Sequence, residues 1–284
     1  MDRWMRRLAR LVGASMGAFA GLIAIQFLRL RRMEFLPKHP GFYVHHVALP
    51  AGGAAEGAAR LRLVVLGDST TAGVGVHRAE DSLPYLLAQR LADARRRPVQ
   101  VTSYGWAGAR VADLVRHQLP RALQPLRATE TEPYLPGADA VAVVIGANDA
   151  THRTPPWRYQ ADLRTVLTGI REAAPQADVV LAGIPAFRGA LRNAEPLIFL
   201  TDQYARLLRP ISRAEAVRSG TAFANLARDV PPRLIGRADA LSVDRFHPSA
   251  IGYAAWAGVI AEALLAPREP VETGADPRIE PAGA

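Results

Sequence analysis

Between residues 61 and 267, short apolar runs alternate with longer amphipathic stretches. The runs are Leu61–Leu66, Val99–Ser103, Ala140–Ile145 and Val179–Ala182, with a weaker fifth at Thr221–Leu226. They are rich in valine and nearly continuous in apolar character, as parallel strands are when helices cover both sides. The amphipathic stretches are Leu83–Arg95, Val111–Leu126, Tyr159–Ala173, Phe199–Val217 and Pro248–Leu265. This β-α-β-α order predicts a mostly parallel, five-stranded sheet with helices on both faces. Reactive groups in such sheets gather in the crevice beyond the carboxyl ends of the strands. Chemistry is therefore expected in the residues that follow each run.

A different pattern occupies the start of the chain. Leu11–Leu28 holds eighteen residues without a charge, between Arg3, Arg6, Arg7 and Arg10 on one side and Arg29, Arg31 and Arg32 on the other. As a helix it covers roughly 27 Å, enough for the hydrocarbon core of a bilayer. Gln26 is its only strongly polar member. A cleaved signal peptide has a shorter apolar region and a small-x-small site, whereas this run ends in R-L-R-R-M-E-F. A core helix would not carry arginines at both ends. Residues 1–38 are thus expected to form an uncleaved single-pass membrane helix, with the domain outside the cytoplasm. Residues 39–60, rich in Gly and Ala without periodicity, read as a flexible linker in which His45 and His46 are solvated. Pro and charge content make 268–284 a disordered tail.

Charge fits this division. The 284 residues hold 35 Lys+Arg against 26 Asp+Glu, a formal net charge of +9. Such a balance ordinarily points to nucleic acid or an anionic membrane. Residues 1–38 carry +6 of it, which leaves +3 for the other 246. The surplus therefore marks the membrane segment, and nucleic acid is not expected as a partner. The chain has no cysteine, so disulfide frameworks, thiolate metal sites and cysteine nucleophiles are excluded. No metal-ligand spacing is visible among the seven histidines, and neither metal nor organic cofactor is expected.

Four blocks follow the strands or precede the last helix. Gly67-Asp68-Ser69-Thr70 ends the first run. Its serine either caps the next helix or presents a hydroxyl above the sheet. The block lacks the G-K-[ST] of a phosphate loop and the G-x-S-x-G of the α/β-hydrolase elbow. Ser103-Tyr104-Gly105-Trp106-Ala107-Gly108 follows the second run, and Gly146-Ala147-Asn148-Asp149 the third. A glycine can bring a bare N–H to a substrate oxygen, and an asparagine amide can add a second donor; each can equally serve only its own turn. Finally, Asp244-Arg245-Phe246-His247-Pro248 places a carboxylate three residues before a histidine, a spacing that either holds Nδ1–H and leaves Nε2 free as a base or caps the helix that follows. Pro248 suits the first position of the last helix.

Taken together, G-D-S at 67–69, the turn ending at Gly108, G-x-N-D at 146–149 and D-x-x-H at 244–247 resemble the SGNH-hydrolase superfamily of GDSL-type esterases and lipases. The resemblance covers residues 61–266. Its second block is loose, with Gly105 as the alternative to Gly108, and Thr70 stands where the GDSL name has leucine. The resemblance implies a three-layer α/β/α sandwich and hydrolysis of acyl esters through an acyl-enzyme. It implies Ser69 as nucleophile, His247 as general base and Asp244 as the group orienting it. The amides of Ser69 and Gly108 and the side chain of Asn148 would form the oxyanion hole. Asp68 and Asp149 read as turn residues. Two alternatives share these residues: an acyltransferase to a glycan or lipid hydroxyl, and a non-catalytic membrane-tethered binding module. The segment Ile184–Ile198, with Pro185, Phe187 and Pro196, is a candidate pocket wall or a crossing of the surface.

Overall fold

The computed structural model describes residues 3–32, 36–124, 134–187 and 195–267. The expected tail, 268–284, lies outside them. In order, the elements are α1 (Arg3–Arg32), β1 (His45–Ala48), β2 (Leu61–Gly67), α2 (Ser69–Ala72), α3 (Leu83–Arg95), β3 (Val99–Ser103), α4 (Val111–Asp113), α5 (Leu119–Ala122), β4 (Ala140–Val144), α6 (Ala147–Thr151), α7 (Pro156–Ala173), β5 (Asp178–Ala182), α8 (Leu197–Arg218), β6 (Ala222–Ala224), α9 (Leu226–Asp229) and α10 (Ala250–Leu265).

All five expected runs become strands. They pair in parallel, and the sheet order is β1-β3-β2-β4-β5-β6. Because successive strand residues point to opposite faces, each run feeds two cores. Val64, Leu66, Val141, Val143 and Leu181 pack against Leu163, Leu167, Ile170 and Leu208 of α7 and α8. Leu63, Val65, Ala142, Val144 and Val180 pack against Leu87 and Leu91 of α3 and Tyr253, Trp256 and Ile260 of α10. The result is the expected three-layer α/β/α sandwich.

The sheet has a sixth described strand, and it comes from the expected linker. β1 runs antiparallel to β3, with His45 opposite Thr102 and Ala48 opposite Val99. Val44 and Ala48 are buried. His45 is half-buried, and its Nδ1 lies 2.9 Å from Thr102 Oγ1. His46 packs edge-on against Tyr85. Beyond β1, Gln89 Nε2 donates to Leu49 O and the Ala55 amide to Arg96 O. Residues 45–55 are therefore fastened along the edge of the domain. The strand escaped notice because four residues at a half-exposed edge give too short an alternation, among Gly and Ala that bury little.

Two helices also differ from expectation. The stretch Val111–Leu126 divides into α4, a π turn at Leu114–Gln118 and α5, and its last two residues lie outside those described. Pro120 cannot donate to the ladder, and that loosens the helix there. The last helix begins at Ala250 with Ser249 as its N-cap, so Pro248 is not its first residue. Pro248 instead forms a bridge with Leu241 that closes the loop carrying His247.

Deleting residues 39–50 is expected to destabilise the domain. A chain beginning at residue 51 loses the β1 pairing and the burial of Val44 and Ala48, worth about 3 kcal/mol. Its Tm should fall roughly 6–12 °C below that of a chain beginning at residue 39. Equal melting of the two in thermal circular dichroism would show that the segment is only a spacer.

Candidate active site

β2 ends in Gly67, and α2 starts two residues later at Ser69. Asp68 caps this four-residue helix; its Oδ1 accepts from the Thr70 amide at 3.0 Å and from Thr70 Oγ1 at 2.8 Å. Ser69 is thus the first helical residue, and its N–H has no intrahelical acceptor. Its hydroxyl lies 3.0 Å from His247 Nε2. On the other side of the ring, Nδ1 lies 2.6 Å from Asp244 Oδ2.

Asp244 is buried, which raises its pKa, yet its hydrogen bonds outweigh that and hold it well below the usual carboxylate range. The donors are His247 Nδ1, the amides of Phe246 and His247 at 2.9 Å each, and Ser242 Oγ at 2.7 Å. An ionised carboxylate only accepts, so the imidazole carries its hydrogen on Nδ1. Nε2 is then left to accept the Ser69 O–H.

Asn148 sits in the first turn of α6, beyond the end of β4. One N–H of its Nδ2 donates to Ala109 O at 3.0 Å, and the other remains available. That bond joins the third block to the second. Gly108, next to Ala109, has φ +86° and open space where a Cβ would be. Gly105 differs: its amide lies 3.3 Å from Ser103 Oγ, and a Cβ there would fall 1.9 Å from Thr71 Oγ1. Gly105 is occupied by packing, which favours Gly108 as the donor. The second block is nonetheless the outermost piece, since Gly108 is exposed and does not line the cleft.

The cleft over Ser69, Asn148 and His247 has a volume of about 1020 Å³. One wall is apolar, formed by Leu226, Val230, Leu234, Leu241, Phe246 and Trp256. Pro185 and Phe187 line it too, as the candidate pocket-wall segment required, while 188–194 lie outside the described residues. Arg209 holds that wall in place, donating to Ile184 O at 3.1 Å and to Asp202 at 2.8 Å.

Residues 65–255 match the GDSL-like Lipase/Acylhydrolase family. The chain belongs to that family. Its fold is similar to that of TesA, at 24% identity over 72% of this chain and 98% of that one, with a TM-score of 0.53. Phospholipase A1 from Streptomyces albidoflavus NA297 is similar at 22% identity over 72% and 100%, TM-score 0.51. A catalytic mutant of Axe2, an acetylxylan esterase from Geobacillus stearothermophilus, is similar at 18% identity over 75% and 95%, TM-score 0.53. No curated protein matches the chain.

Several residues that hold this GDSL-type site together were not singled out by sequence. Gln118, fully buried, accepts from the Gly67 amide at 2.9 Å and donates to its carbonyl at 2.7 Å, fixing the strand end from which Ser69 follows. The π turn just before α5 ends on this residue. Tyr253 of α10 donates its hydroxyl to Val74 O, tying the loop after α2 to the helix that follows His247. Gly75 in that loop, at φ +110°, passes so close to the loop carrying His247 that a Cβ would lie 2.3 Å from Pro248 O. The one available signal was an amide side chain on the apolar face of Val111–Leu126.

Asp149 is buried, and its Oδ2 accepts from the Val111 amide at 3.0 Å. Burial pushes its pKa up from 3.8 to about 6 despite that bond. A raised carboxyl favours folding below its ordinary pKa and loses that contribution as pH climbs through the folded value. Between about pH 4 and 6 this removes roughly 3 kcal/mol. Asp149→Asn keeps an acceptor for Val111, so it should be more stable than the parent at pH 8 and lose that advantage by pH 4. Urea titrations at pH 4, 6 and 8 test this, and a pH-independent difference would refute it.

Proposed function

We propose that the protein is a membrane-anchored serine esterase. The observation that carries this reading is the unbroken line of hydrogen bonds from Asp244 through His247 to Ser69, opening on an apolar-walled cleft. A serine hydroxyl is a poor nucleophile at neutral pH and needs an adjacent base, and Nε2 is set to be one. In the proposed reaction Ser69 Oγ attacks the ester carbonyl carbon while its proton passes to His247 Nε2. Asp244 stabilises the imidazolium. The oxyanion is met by the Ser69 amide and the second N–H of Asn148, and the Gly108 amide adds a donor from the rim of the cleft. His247 gives its proton to the departing alcohol, leaving an acyl-serine. Water, deprotonated by His247, then attacks that ester, and collapse releases the carboxylic acid and restores the Ser69 hydroxyl.

Anchoring is supported by α1. Its charge-free run is Leu11–Leu28, an eighteen-residue window of the helix has mean hydropathy 1.8, and Leu11, Met16, Phe19, Leu22 and Ile25 face outward. Eighteen residues are about 27 Å of helix, enough for the hydrocarbon core of a bilayer. The domain would then stand on the extracytoplasmic side.

Ser69→Ala is expected to abolish hydrolysis of short p-nitrophenyl esters and labelling by a fluorophosphonate probe, with the circular dichroism spectrum retained. His247→Ala should be as damaging, at about 10³-fold or more, and Asp244→Ala should leave more residual rate. Turnover surviving in Ser69→Ala, or an unaffected His247→Ala, would overturn the assignment.

A further inference from the structure

Gln26, the lone strongly polar residue of the apolar stretch, is 4% exposed, whereas Phe19, Leu22, Ile25 and Leu28 around it are 44% or more. Its Oε1 accepts the Leu197 amide at 3.1 Å. Leu197 is the first residue of α8, so that N–H has no acceptor within its own helix. A glutamine inside a bilayer is costly unless it finds a partner, and an orphan amide at a helix start is costly unless something covers it. Each meets the other's need. Gln26 also lies two residues before the end of the apolar run, at the depth where hydrocarbon gives way to headgroups. Phe199, 48% exposed in the same turn of α8, is an aromatic side chain suited to that level.

From this contact α8 runs along the cleft. Asp202, Arg206 and Arg209 line it, about 8, 14 and 18 Å along the helix axis from Leu197. Arg237 and Arg245 line it as well, and among the described residues Arg245 has no acidic partner. With the apolar wall, this gives a trough for an acyl chain and cations for an anionic headgroup.

We propose that Gln26 clasps α1 to α8 and thereby holds the cleft at the surface of the bilayer that α1 spans, so that the substrate is an ester-bearing lipid drawn from that same membrane. This rests on the membrane-anchored esterase reading. A freely tethered domain also stays near its bilayer, but it would turn its cleft toward the lipid only in some orientations. A clasped one meets lipid at a raised effective concentration, an advantage lost when the clasp is cut.

The test uses the full chain reconstituted in phosphatidylcholine–phosphatidylglycerol vesicles that carry a fluorogenic lysophospholipid ester, with p-nitrophenyl acetate as a water-soluble substrate alongside. Gln26→Leu keeps the length and apolar character of α1 and removes only the acceptor. It should speed amide hydrogen exchange at the start of α8 and lower the ratio of lipid-ester to soluble-ester turnover by about tenfold. Unchanged exchange, or faster exchange with an unchanged ratio, would overturn the clasp while leaving the esterase standing. A parent protein inert toward both esters, and unlabelled by fluorophosphonate, would remove the esterase reading and this inference with it.

Discussion

The Asp244 carboxylate is the constraint to which the rest of the site is fitted. A buried carboxylate stays ionised only where hydrogen bonds replace the water it has lost. Four donors do so here, and two of them are the consecutive amides of Phe246 and His247. Turning two successive amides onto one oxygen bends the chain sharply, and Arg245 takes the left-handed φ of 56° that the bend demands. A side chain in that conformation costs roughly 1–3 kcal/mol. The hydrogen bonds to the buried charge offset it. The same bend aims the imidazole across the cleft, and the backbone bonds from Ser242 N to His247 O and from Ser249 N to Ala240 O keep the loop closed.

The sheet explains why residues far apart in sequence meet this loop. β2 and β4 are parallel neighbours, with Gly67 directly opposite Val144. Ser69 follows Gly67 by two residues and Asn148 follows Val144 by four, so both emerge side by side at the carboxyl edge. The short helices α2 and α6 turn the chain away at once, and their first-turn amides stay pointed at the crevice. His247 arrives from the third direction, at the start of α10, whose Tyr253 reaches back to Val74 in the loop leaving α2. Two helices on opposite sides of the sheet fix the serine between them: Gln118 at the end of β2 and Tyr253 beyond α2.

Legibility in the sequence followed the range of the interaction. Strands buried on both faces announce themselves as valine runs, so the parallel sheet was readable from their alternation with amphipathic stretches. Asp244 and His247 were readable only in company: their spacing alone suited a helix cap equally well, and the other three blocks decided between the two. β1 was not, since an edge strand of four residues shares its pattern with a spacer. Gln118 and Tyr253 were not either, because their partners lie 51 and 179 residues away and neither residue type signals a support role by itself. Gly108 is an intermediate case. Its positive φ fits the turn that was expected there, but a sequence cannot say that the turn would stand at the rim of the cleft instead of lining it.

The four aspartates around the cleft show why residue type alone would have misassigned the chemistry. Asp68 and Asp149 belong to the two most conspicuous blocks, G-D-S and G-x-N-D, and would pass for acid–base groups. Both instead turn their oxygens to backbone amides, Asp68 to Thr70 in its own block and Asp149 across to Val111 after the second block, and burial raises the pKa of each. Asp202 is also buried, yet Arg209, the Phe187 amide and Arg206 together outweigh that burial and leave it lowered, as the support of a cleft wall. Only Asp244 combines a lowered pKa with a bond to an imidazole. A partner for a histidine base must remain ionised while the imidazole takes up a proton, and must accept from Nδ1 at the same time. Environment thus divides one side chain among different settings: bonds to backbone amides, a salt-bridged wall and, in the proposed esterase, the orienting of a base. Asp244 meets the last requirement.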